Sequence, residues 1–136
     1  MDLYAENILD HYRHPRGKTV LQNPDVEHKE INVSCGDELT LRLKIADGKI
    51  VNIAWEGTGC AVSQAGMSIL FEELEGKTVA DADAITRTDI DELLGVPIGP
   101  RRVKCAYLSL HTLKNAIRKH RGEPTAGWTE TLGGTL

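Results

Sequence analysis

The chain has 136 residues, a length that fits one domain able to bury roughly two-thirds of its unfolded surface without covalent staples. Its formal net charge of −4 gives no reason to expect a nucleic acid partner, and no apolar run approaches the ~18 residues of a membrane span. Three cysteines, an odd number, argue against a disulfide framework and leave metal binding, catalysis or simple burial.

The stretch "MDLYAENILDHY" is acidic and amphipathic, unlike a signal peptide, so the expected location is cytoplasmic. Within it Tyr4, Ile8 and Tyr12 recur at four-residue steps and predict a helix ended by Pro15 and Gly17. Residues 18–29 read as an irregular connection. "KEINVSC", "LTLRLKI" and "KIVNIAW" alternate with period two, and Asp47-Gly48 between the last two is a strong hairpin signal. "EGTGC" breaks that pattern, and "AVSQAGMSILFEELEG" changes to helical spacing up to Gly76. "KTVADADAITRTDIDELLG" predicts two short helical turns. "GPRRVKCAYLSLHTLKNAIRKHRG" predicts a long helix with Ala106, Leu110, Leu113 and Ile117 on one stripe and Gly122 at its end. The expected class is α+β, a three-stranded antiparallel sheet with helices packed on one face. One domain is expected over residues 1–122, followed by a loose tail over 123–136 that offers little to bury beyond Trp128.

Charge is unevenly distributed. Residues 72–92 hold eight acids against Lys77 and Arg87, whereas residues 101–121 hold seven Lys and Arg with no acid. Each block reads either as a solvated helix face or as a docking surface for a charged protein.

The chemistry concentrates on the cysteines, each at a boundary between elements. Cys35 lies in a strand turn two positions before Asp37, and Gly36 between them makes a sharp turn easy. Cys60 follows two glycines and opens a helix. Cys105 lies near the start of the last helix, with Arg102 and Lys104 nearby. A helix start favours a thiolate, the form that metal binding and sulfur chemistry require. The spacing contains no CxxC pair, so it carries no zinc-finger or zinc-ribbon signature. From the residues alone, a shared Cys3Asp site and three unrelated buried cysteines both stay open. His11, His14, His28, His111 and His120 lack a ligand pattern and read as surface or packing residues.

"SCGDELTL", "GTGCAVSQA" and "RRVKCAYLSL", in this order and after "ILDHYRHPRGK", closely resemble the U-type iron–sulfur assembly proteins: IscU, SufU and the N-terminal domain of NifU. The resemblance spans roughly residues 3–121. It implies that Cys35, Asp37, Cys60 and Cys105 bind a metal, either Zn²⁺ or the iron of a [2Fe–2S] cluster. Lys104 stands where the IscU branch has a histidine, and Arg102 matches a SufU arginine, so the motifs are closest to SufU. Two departures are the short, IscU-like interval between Cys60 and Cys105, and Gly66 where the SufU pattern has a serine or other small residue.

By the SufU resemblance, Cys35 accepts sulfur from a cysteine desulfurase (SufS/IscS-like) at a zinc site, a sulfurtransferase-like role. By the IscU resemblance, the same residues scaffold a cluster that passes to apo iron–sulfur acceptor proteins. Asp37, a hard oxygen among soft sulfurs, is the exchangeable ligand in either case. A structural zinc protein and a cysteine hydrolase using Cys105 and His111 are the distant alternatives; the hydrolase explains neither "CGD" nor "GTGC".

Overall fold

The computed structural model describes residues 3–134, with side chains from Ala5 onward at the first helix. Helix α1 (Leu3–Arg13) precedes a meander of β1 (Val26–Asn32), β2 (Asp37–Ala46) and β3 (Lys49–Thr58). Helices α2 (Ala61–Leu74), α3 (Val79–Asp83), α4 (Arg87–Leu94), α5 (Val103–His120) and α6 (Trp128–Leu132) follow, with a 3-10 turn, Pro100–Arg102, leading into α5. The class is α+β, and the sheet is antiparallel throughout in the order β1-β2-β3.

Period-two alternation sorts β2 cleanly. Leu39, Leu41 and Leu43 point into the core and are fully buried. On the opposite face Arg42 pairs with Glu27 and Glu56 across the strands, so that face is solvated by design of its charges. The β2–β3 turn is Asp47-Gly48 with both residues in the left-handed region (φ 53° and 74°), as that dipeptide predicts. Trp55 on β3 is fully buried, and its indole N–H donates to the Arg16 carbonyl at 2.7 Å, tying the chain after α1 to the sheet.

Helices α2 and α5 supply most of the opposing layer. Ala106, Leu110, Leu113 and Ile117 are all buried, so the predicted stripe is the one that packs. The two short turns are α3 and α4; Thr78 caps α3, and a reciprocal Thr86–Asp89 capping box starts α4.

Three expectations change. Strand β1 begins at Val26, inside the segment read as irregular, because its inward positions after Val26 are the polar His28, Glu30 and Asn32 and carry no apolar alternation. On α1 the buried face is Ile8 with His11, while Tyr12 is 45 % exposed; the side chain of Tyr4 lies outside the described residues. The His11 ring sits inward because Nδ1 lies 2.7 Å from Ser68 Oγ and Nε2 lies 3.2 Å from Glu72. Residues 126–132 fold back on α5 where a loose tail was expected. Asn115 bonds both the N–H and the carbonyl of Ala126, Trp128 stacks on His111 at 4.1 Å, and Thr131 and Leu132 are buried. Trp128 alone understated what this segment buries, because its partners on α5 are polar residues.

Candidate metal centre

The hairpin register places Asn32 opposite Asp37, so the four residues 33–36 form the β1–β2 turn. The Asn32 carbonyl accepts from the N–H groups of Cys35 (3.3 Å) and Gly36 (2.8 Å), and Gly36 takes φ 75°. This turn lifts Cys35 to the surface and returns Asp37 to the inward face of β2, where it is 1 % exposed. A carboxylate this buried needs partners. It has three: the Cys60 N–H at 2.9 Å, the Cys105 thiol at 3.1 Å and the Asn32 side-chain amide at 3.4 Å.

Cys60 is the N-cap residue of α2, half-buried, and its own side chain caps nothing. Gly59 before it adopts φ 148°, and a Cβ there would collide with Asp37 Oδ1. The glycine is therefore required by close approach of the loop to the carboxylate, not by turn geometry alone. Cys105 is the third residue of α5 and is buried. Burial, the hydrogen bond to Asp37 and the neighbouring Cys60 thiol together push the Cys105 thiol well above its ordinary range.

Ligand atoms of Cys35, Asp37 and Cys105 all lie within 4.8 Å of one another, drawn from the hairpin turn, β2 and α5. Cys60 adjoins this trio without entering it: its backbone holds Asp37, and its sulfur lies 3.8 Å from Ser63 Oγ. The donor set, three soft sulfurs and one hard oxygen, suits a divalent cation, and its glycine cradle and amide donors fit an anionic ligand cluster.

Lys104 and Arg102 are exposed. Lys104 lines a cleft of about 380 Å³ with Asn32, Ser34, Cys35, Pro100, Arg101 and Val103, so positive charge borders the exposed thiol. The rest of the basic block is used internally. Lys114 and Arg121 pair with Asp83, Arg118 pairs with Glu130, and Lys119 donates to the Glu27 carbonyl. The two charged blocks thus partly answer each other; Arg101 and Lys104 remain at the cleft, and Arg102 is exposed between them in the chain. Gly66 lies where α2 meets α5, and a Cβ there would sit in ordinary van der Waals contact, 3.8 Å from the Ala106 carbonyl and from Ser109 Oγ.

Among the histidines, His28 and His111 both contact the Glu30 carboxylate (2.7 and 3.3 Å), away from the cysteines. Both His111 ring nitrogens are engaged, Nε2 with Glu30 and Nδ1 with Thr131 Oγ1 at 2.7 Å, so neither is directed at Cys105 for hydrolysis. Asn32 escaped the sequence reading. The signal was its place opposite Asp37 across a four-residue turn, visible only once the register is known.

No helix among the described residues is long and apolar enough to cross a membrane. Solved structures share this architecture. One, a putative iron–sulfur cluster assembly scaffold protein for the SUF system from Fervidobacterium islandicum AW-1, is 30% identical with a TM-score of 0.69, covering 82% of this chain and 94% of that one. The zinc-dependent sulfurtransferase SufU of Bacillus subtilis is 36% identical, over 88% of this chain and 92% of its own length. The iron–sulfur cluster assembly scaffold protein IscU of Thermotoga maritima is 34% identical, over 86% of this chain and 94% of its own. The model of the NifU-like N-terminal domain matches residues 3–126, and the chain belongs to that family.

Proposed function

We propose that this chain accepts sulfur from a cysteine desulfurase at a Zn²⁺ site made by Cys35, Asp37, Cys60 and Cys105. The observation that carries the reading is the approach of Cys35 and Asp37, from one hairpin, and Cys105, 68 positions from Asp37, with all their ligand atoms within 4.8 Å of one another. Cys60, whose backbone N–H already bonds Asp37, would supply the fourth ligand. Zinc bound there keeps the sulfurs as thiolates at neutral pH. Cys35 is the acceptor because it alone of the three is exposed. Its thiolate attacks the terminal sulfur of the desulfurase persulfide; the persulfide S–S bond breaks, the desulfurase cysteine leaves as thiolate, and Cys35 carries the new persulfide. Arg102 and Lys104 steer an acidic partner surface to the cleft.

The similarity to a protein named as a zinc-dependent sulfurtransferase and the Lys104 and Arg102 motif support this reading over its alternative. The alternative is an IscU-like scaffold, in which the same four residues hold a [2Fe–2S] cluster as cargo for apo-proteins; the relatives named as scaffolds support it. Metal and acid-labile sulfide analysis of anaerobically purified protein separates the two. Zinc without sulfide is expected; iron with stoichiometric sulfide favours the scaffold.

Asp37→Cys tests the exchangeable ligand. A fourth thiolate tightens metal retention against a chelator and depresses desulfurase-coupled sulfur turnover. Tighter retention with parental turnover makes Asp37 a structural ligand only.

A further inference from the structure

Asn32 is 1 % exposed and touches every member of the converging trio. Its carbonyl closes the turn that presents Cys35. Its side-chain amide nitrogen lies 3.4 Å from Asp37 Oδ2 and 3.7 Å from Cys105 Sγ, two donations from one NH2 group toward two ligand atoms. The amide oxygen, Oδ1, is buried with no hydrogen-bond partner among the described residues. A buried carbonyl left unpaired is costly, and turning the amide over would set that oxygen against the Asp37 carboxylate. The local charge therefore fixes which end of the amide faces the centre, and the donor end faces it.

We infer that Asn32 is a positioning residue of the metal centre: its amide orients the Asp37 carboxylate and donates to the Cys105 sulfur, tuning how both hold a divalent cation. The inference rests on the metal-binding reading above. Hydrogen bonds from the surrounding protein to metal ligands set ligand direction and electron density, and their loss typically weakens metal binding about 10–100-fold. An N–H directed at a thiolate withdraws electron density from sulfur, so its loss lowers the charge-transfer energy, while the weaker binding comes from the Asp37 carboxylate losing the amide that orients it.

The test uses Co²⁺ alone as the probe, titrated into the full chain and into Asn32→Leu, a variant of similar volume without polar atoms. The parent is expected to give an intense thiolate-to-Co²⁺ charge-transfer band. In Asn32→Leu that band moves to longer wavelength and Co²⁺ dissociation rises about 10–100-fold. Asn32→Ala serves if the leucine variant does not fold; water entering the vacated space leaves a smaller shift in the same direction. A packing role alone moves the thermal midpoint of the metal-free chain and leaves the band and the Co²⁺ affinity at parental values, and that result overturns the inference. Absence of the band in the parent removes thiolate coordination itself, and with it both the metal reading and the role of Asn32.

Discussion

Strands β1 and β2 lie side by side under the same helix, α5, and present opposite interiors to it. β2 offers Leu39, Leu41 and Leu43, each fully buried, while β1 offers His28, Glu30 and Asn32. Burying the leucines is favourable in itself, at roughly 1.5–3 kcal/mol per side chain. The β1 residues gain nothing from burial and depend on partners: Glu30 meets His28, His111 and Asn115, and Asn32 meets Asp37 and Cys105. One strand holds the domain together, and the other carries a polar line that runs along the α5 interface and ends at the candidate metal centre. Most of the apolar burial thus falls on β2 and the polar support on β1, with Asp37 at the start of β2 as the point where they meet, and the two contributions should be separable by mutation.

The largest expected effect is on the apolar strand. Leu41→Ala should cost about 2–5 kcal/mol by loss of burial and cavity formation, read by denaturant unfolding, while the folded fraction retains parental metal content. Glu30→Ala should cost less, about 1–3 kcal/mol, because it strands the donors of Asn115 and two histidines. A cost equal to that of Leu41→Ala would break the distinction between the strands.

The polar strand should also respond to pH, as the apolar strand does not. Burial opposes the Glu30 charge, yet hydrogen bonds from His111, His28 and Asn115 outweigh burial and hold its pKa well below the ordinary 4.5. A carboxyl with a depressed folded pKa stabilises the fold above its unfolded value, and that contribution is lost as pH falls below about 4.5. His11, held below its usual 6.5 mainly by burial and next by Arg16, behaves differently. The unfolded chain takes up a proton below about 6.5 that the folded chain refuses, so stability declines from that point. Thermal midpoints measured from pH 8 to pH 3 should therefore fall in two stages, and Glu30→Gln should flatten the lower stage and leave the upper one.

The smallest effect on stability should come from the exposed basic residues before Cys105. Arg102→Glu is exposed and should change folding by no more than about 0.5 kcal/mol. It should nevertheless slow desulfurase-coupled sulfur transfer without releasing metal. Raising salt should weaken the same association in the parent, since exposed charges are screened beyond about 10 Å at 0.1 M. Equal transfer rates for variant and parent would reduce this edge to a solvated face.

The same division governs how far the residues could be read in advance. β2, β3, the Asp47-Gly48 turn and the α5 stripe were legible because alternation and turn chemistry report burial of apolar side chains. β1 from Val26, the inward turn of His11 and the docking of residues 126–132 were not, because what they bury is polar and satisfied by residues distant in sequence. Cys35 and Asp37 could be paired through Gly36. Joining them to Cys60 and Cys105 required the motif resemblance, since intervals without a CxxC pair carry no geometric information. Asn32 lay within the strand "KEINVSC", two positions before the motif "SCGDELTL", and only the strand register gave it a place.

The distance along the chain between the proposed ligands has a consequence for timing. Asp37 and Cys105 are 68 positions apart, whereas the three strands of the meander pair with their immediate neighbours. Local hairpins close readily, and contacts of long sequence separation form late. A chain emerging from its amino end displays Cys35 and Cys60 well before α5 exists to bring Cys105. Any ion captured in that interval is held by an incomplete set and exchanges freely. Docking of α5 on β1 and β2 is then the step that closes the centre, so correct loading is expected to follow folding in time and to appear as its last kinetic phase.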